Sequence, residues 1–356
     1  MYMGEYMLNN LKILDLTSNL PGPFAAWRLS ELGARVIKIE SPNRDIIISD
    51  SYPVTDEVTA CDAWLNHAKE DIIKMNLKDP EDVAEFKRLI ADEGYDIIIE
   101  SYRPGTLKKL GLSYEDLKAV KEDVILVSIS GYGQFGPNMM KASHDLNATG
   151  ASGLADYSGS LEEGPKHQAY QTTDIIAGHN AIIGLLAAAN NRLITGQGSH
   201  VDVSMLDGMI PLHSSTGADY LAGGPEPQRG LGLLTGGTLY DYYRTKDGRY
   251  FTVAPIEQKF FEGLCKIIGK EEWIEETFYV SDLDTKKAQL RDIFLSKTMD
   301  EWNELLDGQD ICIEAVATAK EAFSTENADA RGFFKEVEYK GVKTKVFNEP
   351  IKFLDN

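Results

Sequence analysis

Leu11-Lys12-Ile13-Leu14-Asp15-Leu16, followed by Asn19-Leu20-Pro21-Gly22-Pro23-Phe24-Ala25-Ala26-Trp27-Arg28-Leu29, then Gly33 and Arg35-Val36-Ile37-Lys38-Ile39-Glu40, is the stretch that decides the fold. Its first and last segments are short and rich in apolar residues, the composition of buried strands. Between them, proline and glycine punctuate the chain before an apolar pattern with helical spacing, which Gly33 closes. Strand, helix and strand in so short a span predict a βαβ unit, and such a unit demands parallel strands with the helix crossing one face. No G-x-G-x-x-G follows the first strand. The outline is therefore that of a dinucleotide-binding fold without its pyrophosphate fingerprint, which weakens a nicotinamide reading.

The same alternation continues outward. Asp71 to Leu77 reads as a short strand, Pro80-Glu81-Asp82 opens a helix to about Glu93, and Asp96-Ile97-Ile98-Ile99-Glu100 is a buried strand. Ser113-Tyr114-Glu115-Asp116 caps a further helix, and Val124 to Ile129 is an apolar strand. Residues 41–70 lack a pattern and are expected to make an excursion over the surface. Thr172 to Ala189 is apolar and rich in alanine, a buried helix with Asp174 in its first turn. Val201 to Asp207 reads as a short strand running into a helix. Residues 221–238 hold six glycines and two prolines, the composition of a linker or loop. Beyond them Thr238 to Thr245 and Arg249 to Ala254 form a hairpin about Lys246-Asp247-Gly248, followed by helical spacing over Glu257 to Ile268, Asp284 to Leu295 and Thr298 to Leu306. Strand character returns near the end. The predicted fold class is α/β: a doubly wound large domain and a smaller α+β domain.

Composition narrows the functional classes. A chain of 356 residues with 43% hydrophobic content can bury a sizeable core. Its formal net charge of -20 repels nucleic acid and anionic membrane alike, so any anionic ligand must be met by local basic groups or helix N-termini. Cys61, Cys265 and Cys312 are far apart with no C-x-x-C spacing, and no H-x-x-x-H pair occurs among the histidines, so no metal is expected. Reduced thiols, together with a start at Met1-Tyr2-Met3-Gly4-Glu5-Tyr6 that lacks a signal pattern, lead to the expectation of a cytoplasmic protein.

The chemistry concentrates around Ser130-Gly131-Tyr132-Gly133-Gln134-Phe135-Gly136-Pro137 and the neighbouring His144 and Asp145. With Asp174, and Glu257 where a strand gives way to a helix, these form the best constellation for proton chemistry, because imidazole and carboxylate groups at helix starts can exchange protons near neutral pH. The bland readings are helix caps for Asp145 and Asp174 and a hydrogen-bonded core histidine for His144. A serine triad has no G-x-S-x-G elbow to stand on. Arg103, in Ser101-Tyr102-Arg103-Pro104-Gly105 at the carboxyl end of a strand, lies where open α/β sheets bind ligands.

At these residues the chain resembles the class III CoA-transferase family, which includes carnitine and formyl-CoA transferases and the α-methylacyl-CoA racemases. The likeness covers nearly the whole length. It rests on Pro21 to Ala25, Gly33 to Glu40, Tyr102-Arg103-Pro104-Gly105 with Leu110-Gly111-Leu112, the Gly131 to Pro137 turn, and Gly196-Gln197-Gly198. The family shares an Asp at the start of the long apolar helix, matched by Asp174, which in the transferases attacks the acyl-CoA thioester. Racemases add a Gly-His-Asp-Ile-Asn type motif, matched by Ser143-His144-Asp145-Leu146-Asn147, and an Ile-Glu-Pro-Gln-Phe type motif, matched by Ile256-Glu257-Gln258-Lys259-Phe260. Ser143 for Gly, Thr238-Leu239 for Ala-Pro and Gln258-Lys259 for Pro-Gln depart from the pattern.

The resemblance implies an acyl-CoA racemase or epimerase that inverts the α-carbon of a 2-methylacyl-CoA thioester, with His144 and Asp174 as the proton-transfer pair and Glu257 supporting His144. The alternatives are a CoA transferase with Asp174 as nucleophile and a non-catalytic acyl-CoA binder. No cofactor is implied beyond the CoA moiety, whose phosphates would meet Arg103, Lys38, Lys78 and Lys141, the first two by resemblance. It further implies a Rossmann-like large domain from 1–195 and 325–356, a linker over 196–237, and an α+β domain over 238–324. Two chains would interlock as linked rings in a homodimer with the active site at the subunit contact.

Overall fold

The computed structural model describes residues 7–42, 45–159 and 164–354; the start 1–6 read above lies outside them. The chain divides into two compact units, the first comprising Met1–Ser152, Gln168–Leu212 and Glu326–Asn356, the second Gly153–His167 and His213–Thr325.

The first unit begins with β1 (Lys12–Leu16), α1 (Pro21–Glu31) and β2 (Arg35–Glu40), the βαβ unit of the opening stretch. There follow α2 (Ile46–Ser49), α3 (Ala60–Asn66), β3 (Asp71–Lys74), α4 (Pro80–Ala91), β4 (Ile97–Glu100), α5 (Thr106–Lys109), α6 (Tyr114–Val120) and β5 (Ile125–Ser130). Then come α7 (Asp145–Ala151), α8 (Thr172–Thr195), β6 (Ser199–Ser204) and α9 (Met205–Met209). The six strands form one parallel sheet in the order β3-β2-β1-β4-β5-β6. Strand alternation supplies a core on each face. Ile13, Val36, Ile97, Ile99, Ile125 and Val127 meet α1 and α8 on one side. Leu14, Ile37, Ile98 and Leu126 meet Phe86, Leu89 and Leu117 of α4 and α6 on the other. A strand buried on both faces needs apolar residues at nearly every position, which is why Ile97-Ile98-Ile99 reads as a continuous run.

Helix α8, though long and apolar enough to cross a bilayer by length and composition, is a core helix of this sheet. Close packing with α1 depends on Gly178, where a Cβ would come within 2.7 Å of Phe24 and 2.8 Å of the Pro21 carbonyl oxygen.

Two expectations are corrected. Residues 41–70 are more than a surface excursion: Leu65 of α3 is buried with Phe24 and Trp27, and Ala63 packs beneath Tyr339 and Val346. Those last two residues belong to the antiparallel pair formed, beyond α15 (Glu326–Ala330), by β10 (Phe334–Tyr339) and β11 (Val342–Phe347), with which the chain returns to the first unit. Their anchor is a buried bidentate pair, Arg28 to Glu349, at 2.5 Å for each contact. The stretch 196–237 is not a linker throughout, because β6 completes the sheet within it. Its glycines serve local geometry instead: Gly196 ends α8 at φ +71°, and at Gly198 a Cβ would lie 2.1 Å from the Val124 carbonyl oxygen.

The second unit holds α10 (Ser214–Leu221), β7 (Asp241–Arg244), β8 (Tyr250–Val253), α11 (Gln258–Ile268), α12 (Leu283–Leu295), α13 (Met299–Leu306), β9 (Ile313–Ala315) and α14 (Ala319–Ala322). Its sheet runs β7-β8-β9 and is antiparallel, so one face can remain wet while the other is covered by Phe261, Leu290, Phe294 and Trp302.

Candidate active site

The chain steps outward from β1 to β2 and β3, then returns to place β4 on the other side of β1. Loops leaving neighbouring strands in opposite directions open a crevice at their carboxyl ends, here above β1 and β4. The Ser18 N–H donates to Ser101 Oγ at 3.0 Å and ties the two loops together. Two clefts flank this point and share Ser18 and Tyr102 in their walls.

The smaller cleft, about 260 Å³, brings together four of the residues singled out in the sequence: His144, Asp174, Arg103 and Lys141. The glycine turn builds its floor. At Gly131 a Cβ would fall 2.5 Å from Ser143 Cβ, so only glycine lets the turn pass beneath the segment that delivers His144. His144 is the N-cap of α7, with its backbone N–H donated to Asn147 Oδ1 at 3.0 Å and its side chain exposed in the cleft.

Asp145 has a structural duty of its own. Its Oδ2 accepts the N–H of Thr173 at 2.7 Å and of Asp174 at 3.3 Å, so it caps α8, the helix that carries Asp174. The helix caps weighed in the sequence thus fit Asp145, which acts on the neighbouring helix rather than its own. The cap also decides the electrostatics. Donors at the α8 terminus that could hold an anionic Asp174 are already engaged, and a second carboxylate stands close by. Half-buried, the Asp174 carboxyl is pushed up to about 7, first by loss of water and then by the charge of Asp145.

Arg103 is exposed on the rim, and its guanidinium makes no ion pair with a described residue. Lys141, also exposed, holds its ammonium 5.9 Å from the centre of the Tyr132 ring.

The larger cleft, about 690 Å³, lies over β1, β2 and β3. Lys38 lines it but is buried: its Nζ donates to the Thr17 carbonyl and lies 3.5 Å from Asp15 Oδ1. Its charge therefore has an internal partner, which the sequence reading of a free phosphate contact did not anticipate. Lys69 Nζ donates to Asp15 Oδ2 and Asn66 Oδ1, both at 2.7 Å. Burial would raise the Asp15 carboxyl, but the two lysines and their hydrogen bonds hold it far below the usual carboxylate range, while burial draws Lys69 down to about 8. Lys78 is exposed between β3 and α4 and lines neither cleft.

Glu257 lies in the second unit, exposed at the N-cap of α11, and its carboxylate makes no hydrogen bond with a described residue. No group of three His, Cys, Asp or Glu side chains suited to a metal occurs among the described residues.

Sequence reasoning missed Asp15, Lys69 and Glu100. Two of them carried a signal: Leu14-Asp15-Leu16 and Ile97-Ile98-Ile99-Glu100 each set a carboxylate in a strand otherwise apolar, a position that burial reserves for a charge with partners.

A doubly wound sheet with an imidazole and a carboxyl that titrates near neutrality, both in the crevice at its switch point, defines an α/β protein equipped for acid–base or acyl chemistry. The family model of CoA-transferase family III matches residues 8–356, and the chain belongs to that family. It is 31% identical over 340 residues to succinyl-CoA:glutarate CoA-transferase of Mus musculus, covering 93% of this chain and 77% of that one. It is 30% identical over 330 residues to alpha-methylacyl-CoA racemase of Homo sapiens, covering 92% and 82%. A solved CAIB/BAIF family protein from Brucella suis superposes with a TM-score of 0.83 at 28% identity, over 97% of this chain and 92% of that chain.

Proposed function

We propose that this protein is an acyl-CoA racemase or epimerase, inverting the α-carbon of a 2-methylacyl-CoA thioester by 1,1-proton transfer through an enolate. The observation that carries the reading is the pair His144 and Asp174 in one cleft, with the Asp174 carboxyl brought to about 7. Inversion needs one group to take the α-proton and another, on the opposite face, to return one, and each must be competent in both protonation states near neutral pH. A carboxyl titrating at that pH is such a group. A nucleophilic carboxylate has the opposite need, since every protonated copy is idle. The environment of Asp174 therefore favours the isomerase over the transferase, between which the relatives are divided.

The α C–H electrons pass into the thioester carbonyl, and the enolate oxygen is stabilised by N–H groups in the first turn of α7. Glu257 supports the cationic form of His144 at the contact between two chains of a homodimer of interlocked rings. Arg103 and Lys141 meet phosphates of CoA, and the larger cleft receives part of the nucleotide. Separated Cys61, Cys265 and Cys312, all free thiols, suit work in the reducing cytoplasm.

The test is deuterium wash-in at the α-carbon of 2-methylacyl-CoA in heavy water. The parent protein should exchange, and His144→Ala and Asp174→Ala should lose exchange; full exchange in both variants overturns the assignment. Sedimentation under assay conditions checks the assembly, since an active monomer contradicts a site completed between chains.

A further inference from the structure

On the α4 and α6 face of the sheet, polar side chains replace the apolar row at the carboxyl ends of β4, β5 and β6. Register sets Leu16, Glu100 and Ser128 side by side across three strands, with Asp202 next in the row on β6. Glu100 and Ser128 are buried. The Tyr102 N–H donates to Glu100 Oε2 at 2.7 Å. Ser128 is the register neighbour of Glu100 on β5, and its hydroxyl lies near enough to favour the ionised carboxyl. Ser128 Oγ lies 3.0 Å from His200 Nε2. His200 is exposed and stacks on Tyr114 of α6, with ring centres 5.4 Å apart and 25° between planes. A row of groups with exchangeable protons thus lies between a carboxyl beneath the cleft and an imidazole that reaches solvent. The reading of His144, Asp174 and Glu257 uses none of it.

We infer that Glu100, Ser128 and His200 form a proton-relay chain in which Glu100 is a positioning residue for the Tyr102–Arg103 rim of the cleft and His200 is its terminal in solvent. The inference holds whichever acyl-CoA reaction the cleft performs.

Hydrogen-bond direction makes the relay specific. Ser128 has one proton to give. With Glu100 ionised, that proton points to the carboxylate, and Ser128 Oγ accepts from His200, which must carry its proton on Nε2. With Glu100 protonated, the carboxyl donates to Ser128, and the serine proton turns to His200 Nε2, which must be bare, leaving the ring proton on Nδ1. Interconversion balances. A proton from water joins Nδ1, the Nε2 proton passes to Ser128 Oγ, and the serine proton passes to Glu100. Each state gives the Tyr102 N–H a different acceptor, a full carboxylate or half of a neutral acid, and Tyr102 stands in the wall of both clefts.

The surroundings bring this exchange into the neutral range. Burial lifts the Glu100 carboxyl to about 7, opposed by its bonds to Ser128 and Tyr102 and aided by the charge of Asp202. Asp202 is fixed through Oδ2, which accepts the Gln134 N–H at 2.9 Å. Loss of water around its ring draws His200 below its ordinary value, against the pull of Asp202, and so favours the neutral imidazole. From β1 the residue beside Glu100 is Leu16, and from α6 the group facing His200 is Tyr114, neither of which carries charge in this range.

The test is long-range nitrogen–proton correlation NMR of the histidine rings in the full chain, titrated through neutral pH. His200 should exchange its protonated and bare nitrogens, Nδ1–H below the midpoint and Nε2–H above it, with the Tyr102 amide shifting at the same midpoint. In Glu100→Gln the amide donates permanently to Ser128, so the ring should remain Nδ1–H throughout. Ser128→Ala, a small truncation that keeps Glu100, should abolish the tautomer step. A single tautomer across the range in the parent protein, or a step that survives Ser128→Ala, overturns the relay.

Discussion

Two carboxylates at the carboxyl edge of the same sheet meet opposite fates. Asp15, beside the larger cleft, is fully buried and stays ionised because Lys38 and Lys69 stand against it. Asp174, in the smaller cleft, is only half-buried, yet loss of water, with the charge of a second carboxylate added to it, brings it to about 7. Burial raises both, so burial alone does not distinguish them. The sign of the nearest charge does, and it separates a structural carboxylate from one fit to move a proton.

The largest effect on this contrast should come from Lys69→Met. It leaves Asp15 with one lysine in a dry site, and denaturant unfolding should show a loss of about 3 kcal/mol or more. Asp15→Asn in the same chain should recover part of that loss, because it removes the orphaned charge.

Asp174→Asn should act in the reverse sense. The folded pKa of about 7 lies above the ordinary 3.8, so ionising Asp174 costs stability. That cost is absent below about pH 4, grows as pH rises, and is complete above about pH 7. A shift of this size is worth roughly 4 kcal/mol in full. With the carboxyl only half-buried, solvent screening reduces the expected gain of the variant to about 1–2 kcal/mol at pH 8, with none at pH 4, while α-proton exchange is lost. An unchanged pH–stability profile breaks the comparison.

Asp145→Asn isolates the charge from the cap, since an asparagine oxygen can still accept the Thr173 and Asp174 N–H groups. The Asp174 limb of the pH–rate profile should move down by about one unit with little change in stability. Arg103→Ala should touch neither carboxylate. Its expected effect is a rise in KM for acyl-CoA of about tenfold with kcat retained, the signature of a lost binding contact.

Much of this architecture could be read before the structure. Periodicity located β1, α1 and β2, because a strand buried on both faces leaves an unbroken apolar run, and it located the β7–β8 hairpin, because Lys246-Asp247-Gly248 is strong turn chemistry. It failed between residues 41 and 70, where Leu65 and Ala63 pack as isolated contacts on a short helix without a repeating stripe. The linker drawn over 196–237 began too early, at Gly196 and Gly198, since a helix stop and a close backbone approach demand the same residue as a linker. His144, Asp174, Arg103 and Lys141 were identifiable by type and motif and share one cleft. The partnership of Asp145 with α8, and of Lys38 with Asp15, was not legible, because hydrogen-bond partners distant in sequence follow from how the chain folds back. Glu100 and Asp15 could have been flagged as lone carboxylates in apolar strands.

The central claim is that Asp174 moves a proton rather than forming a bond to carbon. The most direct measurement incubates the protein with 2-methylacyl-CoA in heavy water, quenches samples with hydroxylamine, and follows both α-deuterium incorporation and the mass of the peptide containing Asp174. The account predicts steady incorporation of deuterium with Asp174 unmodified at every time point. A hydroxamate at Asp174 with no deuterium at the α-carbon contradicts it.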